Sequence, residues 1–104
     1  MEEDIFSYME GCAPREGCGV VVIANGEKTW IPCGNDSVEA DEFIINKKDF
    51  IVASMYYELV AIVHSHINQE DLKLSDHDIM ASKYLNVPYW VVGIPQREII
   101  KYNG

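Results

Sequence analysis

Hydrophobic and polar positions alternate with a helical period at the start of the chain. Over residues 4–13, Ile5, Phe6, Met9, Cys12 and Ala13 recur at helical spacings, which predicts a short amphipathic helix ended near Pro14. The period is then lost in the continuous β-branched run CGVVVIA, residues 18–24, the pattern of a buried strand. Asn25-Gly26 marks a tight hairpin turn, and KTWIPC is the returning strand, with Pro32 placing it at a sheet edge or strand end. GNDSVEAD is loop chemistry, and EFIIN reads as a short third strand. From Asn46, a predicted N-cap, Phe50, Ile51, Ser54, Met55 and Tyr57 fit one face of a second helix. ELVAIVHSH is the most apolar strand. Ser75 opens a third helix to about Leu85, with Ile79, Met80 and Tyr84 predicted inward, and Asn86 and Pro88 stop it. YWVVGI and EIIKY finish as strands. The interleaving predicts a single domain, 1–104, of α/β or mixed α+β class, with a central sheet flanked by helices.

Charge narrows the partners. The net charge is −9, from 17 acidic and 8 basic residues, so the chain lacks the clustered Lys and Arg that nucleic acid or an anionic membrane surface requires. No apolar run is long enough to span a membrane, and the acidic start MEEDIFSYMEG lacks the basic and apolar regions of a signal peptide. These features predict a soluble, cytoplasmic protein. Cys12, Cys18 and Cys33 form no CxxC and cannot all pair with one another, which predicts reduced thiols. A metal site would have to use His and carboxylates.

Such residues crowd into ELVAIVHSHINQEDLKLSDHD, residues 58–78, where all three histidines lie. A strand alternates its side chains between faces, so His64 and His66 project to the same side. Two His ligands, one carboxylate and a water form a catalytic zinc set, and Asp78 is the natural third ligand. Ser75-x-x-Asp78 also reads as a plain capping box, both side chains satisfying N–H groups at a helix start. Hydrolysis further needs a general base, and the candidate is Glu16 in PREGCGVVV. By periodicity alone Glu16 is a solvated turn residue.

Together these residues resemble the JAMM/MPN metallopeptidase domain, whose pattern is a Glu before an early strand, then H-x-H, then S-x-x-D. The pieces here are Glu16, His64-Ser65-His66 and Ser75-Asp76-His77-Asp78. PREGCG and the WIPCGN segment make the likeness greatest to the N-terminal domain of lambda-like phage tail assembly proteins. The resemblance implies a cytidine-deaminase-like mixed sheet and a zinc-dependent peptide or isopeptide hydrolase. It implies that His64, His66 and Asp78 hold Zn²⁺, that Glu16 is the base, and that the Ser75 hydroxyl donates to the oxyanion. Implied partners are a peptide or protein substrate, phage tail proteins, an NlpC-type peptidase domain and a second copy in a homodimer. The implied location is the host cytoplasm or the virion tail.

The chain departs from the family pattern at two points. The segment between His66 and Ser75 is one residue longer than the family's commonest spacing, and Ile67 stands where a Pro is usual. Aligned without the insertion, His77 would take the place of the Asp ligand and Leu74 that of the Ser. The Ser75/Asp78 register keeps both chemical roles. The alternative to an enzyme is a non-catalytic MPN scaffold in tail assembly.

Overall fold

The computed structural model describes residues 1–103. Strand β1 (Cys18–Ala24) turns at Asn25-Gly26 into β2 (Glu27–Cys33). Both turn residues have positive φ, 52° and 80°, the conformation in which a two-residue turn matches strand twist and which Asn and Gly adopt at least cost. Strand β3 (Glu58–Ile67) pairs antiparallel with the other side of β1. The register shifts between Val21 and Val22, the mark of a β-bulge. Strand β4 (Tyr89–Ile94) lies parallel to β3, and β5 (Glu98–Tyr102) pairs antiparallel with β4. The mixed sheet has the order β2-β1-β3-β4-β5. Pro32 therefore lies on an edge strand, where a missing N–H costs no interior ladder bond.

The two faces of the sheet are covered differently. Helix α1 (Glu2–Cys12) seats Ile5 and Met9 on Val21, Ala61, Val63, Trp90, Val92 and Ile94. Helices α2 (Lys47–Tyr56) and α3 (Asp76–Leu85) share the opposite face, where Ala53, Phe50, Leu74 and Ala81 meet Val20, Val22, Ile62 and Tyr89. The class is mixed α+β, as the sequence predicts. Alternation along β3 sends Ala61 and Val63 to the α1 face, and Ile62, His64 and His66 to the α2/α3 face. Both histidines thus emerge where α3 begins.

Three expectations are corrected. EFIIN is not a strand: it forms only an isolated bridge, Asn35 to Ile45. The Asn35 side chain takes up the local backbone instead, accepting from the N–H of Ser37 and Ile44 and donating to the carbonyls of Glu16 and Glu42. Helix α2 turns Ala53 inward, with Phe50 half-buried, and leaves Ile51, Ser54 and Met55 exposed; Tyr57 lies beyond its end and is also exposed. Alanine lets the helix approach the sheet more closely than Met55 would allow. Helix α3 buries Asp78 and Ser82, while Ile79, Met80 and Tyr84 face outward, Tyr84 at 90% exposure. Once Asp78 is drawn in at the helix start, the residues one and two positions on are rotated about 100° and 200° away. Cys18 and Cys33 are buried free thiols, and Cys12 is a half-buried one.

Candidate metal centre

The site is built from the end of β3, the turn before β1 and the first turn of α3. His64 is fully buried and His66 is 7% exposed. Their Nε2 atoms face each other at 3.2 Å, and the Asp78 Oδ2 lies 3.2 Å from the same His64 nitrogen. One ring nitrogen carries at most one proton, so it cannot donate to both neighbours. Donors about 2.0–2.1 Å from an ion in tetrahedral geometry stand about 3.3 Å apart, which is close to both spacings. The donor set of two imidazoles and carboxylate oxygen also suits zinc.

Ser75 and Asp78 form a full capping box: the Asp78 N–H donates to the Ser75 Oγ at 3.1 Å, and the Ser75 N–H donates to the Asp78 Oδ2 at 3.2 Å. The capping and site readings of this motif coincide, because the oxygen that accepts from Ser75 is the one that faces His64. Burial works to raise the Asp78 pKa, but His64 beside it and the Ser75 hydrogen bonds hold the carboxyl below its usual range. Burial and the neighbouring His64 ring lower the pKa of His66. The neutral imidazole, which is the metal-binding form, is thereby favoured. The Nδ1 atoms of both rings are buried and have no partner among the described residues.

Glu16 reaches this cluster from the turn before β1. Ligand atoms of Glu16, His64 and His66 all lie within 4.8 Å of one another, and that buried trio is a group able to hold a metal ion. Asp78 joins through His64. Glu16 is 5% exposed rather than the solvated turn residue its periodicity suggests. Its carboxylate takes no hydrogen bond among the described residues. Burial, then the nearby charges of Asp78, Asp41 and Glu42, push its pKa up to about 8.

Three positioning residues carried weaker signals in the sequence. Ser65 sits between the histidines on the opposite, α1-facing side of β3, where it is fully buried. Its Oγ accepts from the Gly17 N–H at 2.8 Å, and its N–H donates to the Gly17 carbonyl at 3.0 Å. That clamp fixes the residue next to Glu16 against the HxH. A hydroxyl on an otherwise apolar strand face must find a partner, and that is the signal that could have found it. Asn35 holds the Glu16 carbonyl, as described above. Phe43 stacks on the His64 ring, with centroids 4.4 Å apart and planes 16° from parallel.

A cleft of ≈ 710 Å³ opens above the cluster, lined by Glu16, His66, Ser75 and Asp78 among others. Ser75 is exposed at its wall. His77 is also exposed there and makes no contact with the two histidines of β3 comparable to that of Asp78, while Leu74 packs into the core under α2 and α3.

Over 54 residues the chain is 43% identical to the tail tip assembly protein K of Escherichia phage N15. This is a homology to a phage tail assembly protein. The match spans 51% of this chain but only 22% of that relative's length. No protein-family model matches the chain. No helix among the described residues is long and apolar enough to cross a membrane.

Proposed function

We propose that this chain is a JAMM-type zinc metallopeptidase acting in phage tail assembly, on a peptide or isopeptide bond of a tail-associated protein. One observation carries the reading: His64 Nε2 stands 3.2 Å from both His66 Nε2 and Asp78 Oδ2, with the unpartnered Glu16 carboxyl brought beside them from the turn before β1. In this reading His64, His66 and Asp78 hold the ion and Glu16 is left for proton transfer. Bound there, zinc would supply the Lewis acidity that brings a water's pKa towards about 7. Glu16, with a pKa near 8 when no ion is present, takes the proton of the attacking water and hands it to the leaving amine. The Ser75 hydroxyl accepts from the Asp78 N–H, so its own proton is free to donate to the developing oxyanion. The homology to a tail tip assembly protein supports tail proteins as partners, and with them a working location in the host cytoplasm or the virion tail.

Metal analysis of the wild type beside His66→Ala and Glu16→Ala tests this. About one zinc per chain is expected in the wild type, lost in the His66 variant and kept in the Glu16 variant. Zinc that persists after His66→Ala would sink the ligand assignment, and zinc lost with Glu16→Ala would make Glu16 a ligand rather than the base.

A second reading, a non-catalytic scaffold in tail assembly, is favoured by the exposed apolar residues Met55, Tyr56, Met80 and Tyr84 on α2 and α3. Assaying peptide libraries with and without chelator separates the two. Chelator-sensitive cleavage supports the enzyme, and no cleavage under any condition supports the scaffold.

A further inference from the structure

The walls of the cleft carry charge that neither the ion nor the proton transfer accounts for. One wall is the loop Asp41–Ile44, and the other runs from Gln69 to Lys73. Glu16, Asp41, Glu42, Asp71 and Asp78 all line it, against Lys73 as the one ammonium. A divalent ion offsets only half of that excess. Asp41 and Glu42 form no ion pair and no side-chain hydrogen bond among the described residues. Lys73 meets Asp71 at 3.4 Å, but both are well exposed, and such a pair holds weakly and exchanges readily.

Acidic surface alone would say little in a chain this acidic, and the floor of the cleft supplies the second observation. The side chain of Glu16, a residue only 5% exposed, is without a partner among the described residues and lines the cleft. Buried polar groups are normally satisfied, so it marks where a ligand's polar group belongs. The acidic wall is also held in place: Asn35 ties the backbone of Glu42 and Ile44 to that of Glu16. Phe43 and Ile44, next to the acids on the same wall, offer apolar surface to an aliphatic stem.

We infer that the cleft selects a peptide with a positive charge, a lysine or arginine side chain or a free amino group, beside the bond presented to Glu16 and the histidines. The inference rests on the peptidase reading for the role of that bond, while the charge preference is measurable without turnover. The probes are fluorescein-labelled alanine peptides with one central lysine, acetyl-lysine or glutamate, titrated against the full chain in its Glu16→Gln form with zinc present. At about 0.05 M salt the lysine peptide is expected to bind about five- to tenfold more tightly than the acetylated one, a difference that shrinks at about 0.5 M.

In Asp41→Asn/Glu42→Gln the two peptides should come within about twofold, whereas the charge-matched control Asp4→Asn/Glu27→Gln should keep the preference. Asp71→Asn provides an independent reduction from the other wall. All five altered acids are exposed, so folding is expected to survive; thermal melting verifies it. Equal binding of the three peptides, a preference untouched by the cleft variants, or no binding up to millimolar peptide overturns the inference. Zinc content and wild-type turnover, read in parallel, separate the two readings. Charge preference without zinc or turnover sinks the peptidase alone, and turnover without charge preference sinks this inference alone.

Discussion

Glu16 offers a prediction whose sign and size both follow from its surroundings. In the metal-free folded chain its pKa is pushed up to about 8, against an ordinary 4.5, chiefly by burial. The unfolded chain releases that proton near 4.5. Between these pH values the folded state therefore binds more protons than the unfolded one, and stability falls as pH rises through the window. What is present below 4.5 is lost by the time pH passes about 8. At about 1.4 kcal/mol per pKa unit, the whole effect is roughly 5 kcal/mol at most, a large share of the 5–15 kcal/mol typical of a domain. Gln at this position mimics the protonated carboxyl and cannot ionise. Urea unfolding in excess chelator, at pH 5.5, 7 and 8, provides the assay; the lowest value stays clear of the sequence pI of ≈ 4.6. The wild type should lose about 3 kcal/mol relative to Glu16→Gln across that range. His66 titrates in both proteins and largely cancels in the difference. Zinc should shrink the gap, because a cation beside Glu16 favours its ionised form. Parallel pH profiles for the two proteins would refute the claim that Glu16 is buried and unpaired.

Further expectations follow from single contacts. Chelation should lower the wild-type melting temperature by more than about 10 °C, since free ligand at about 1,000 times its dissociation constant contributes about 4 kcal/mol; His66→Ala should melt low and ignore chelator. Ser65→Ala strips the buried Gly17 N–H of its acceptor and should cost about 1–3 kcal/mol by denaturant unfolding, with hydrolysis falling further as Glu16 loses its register. In Gly17→Ala the new methyl would lie 2.5 Å from the sulfur of the buried Met9, so that side chain or α1 must shift, at about 1–3 kcal/mol. Met80→Ser and Tyr84→Ser should each change stability by less than about 0.5 kcal/mol, because both side chains face outward; a loss above about 2 kcal/mol would return them to the core.

Much of this architecture follows from periods that the local backbone enforces. Strand alternation puts His64 and His66 on one face wherever the strand lies, the positive φ of Asn25 and Gly26 closes the β1–β2 hairpin locally, and Ser75-x-x-Asp78 caps a helix from within four residues. These features depend on neighbours in sequence, and a sequence displays its own neighbours. The rotation of α2 and α3 about their axes is different. Apolar residues lie on more than one side of each helix, and periodicity pointed to the wrong side of both. Ala53 against the sheet and Asp78 beside His64 decided it. EFIIN had the composition of a strand, yet the Asn35 side chain captured its backbone and left only one bridge. The convergence of Glu16 with His64, His66 and Asp78 is likewise tertiary. It depends on the pairing of Cys18 with His64, on the Ser65–Gly17 clamp, and on the loop that returns Asp78 from α3 to within 3.2 Å of His64. Sequence determined which side chains were available and which shared a face; only the packed sheet determined that a carboxyl from a turn would be buried beside two imidazoles and have its pKa raised there.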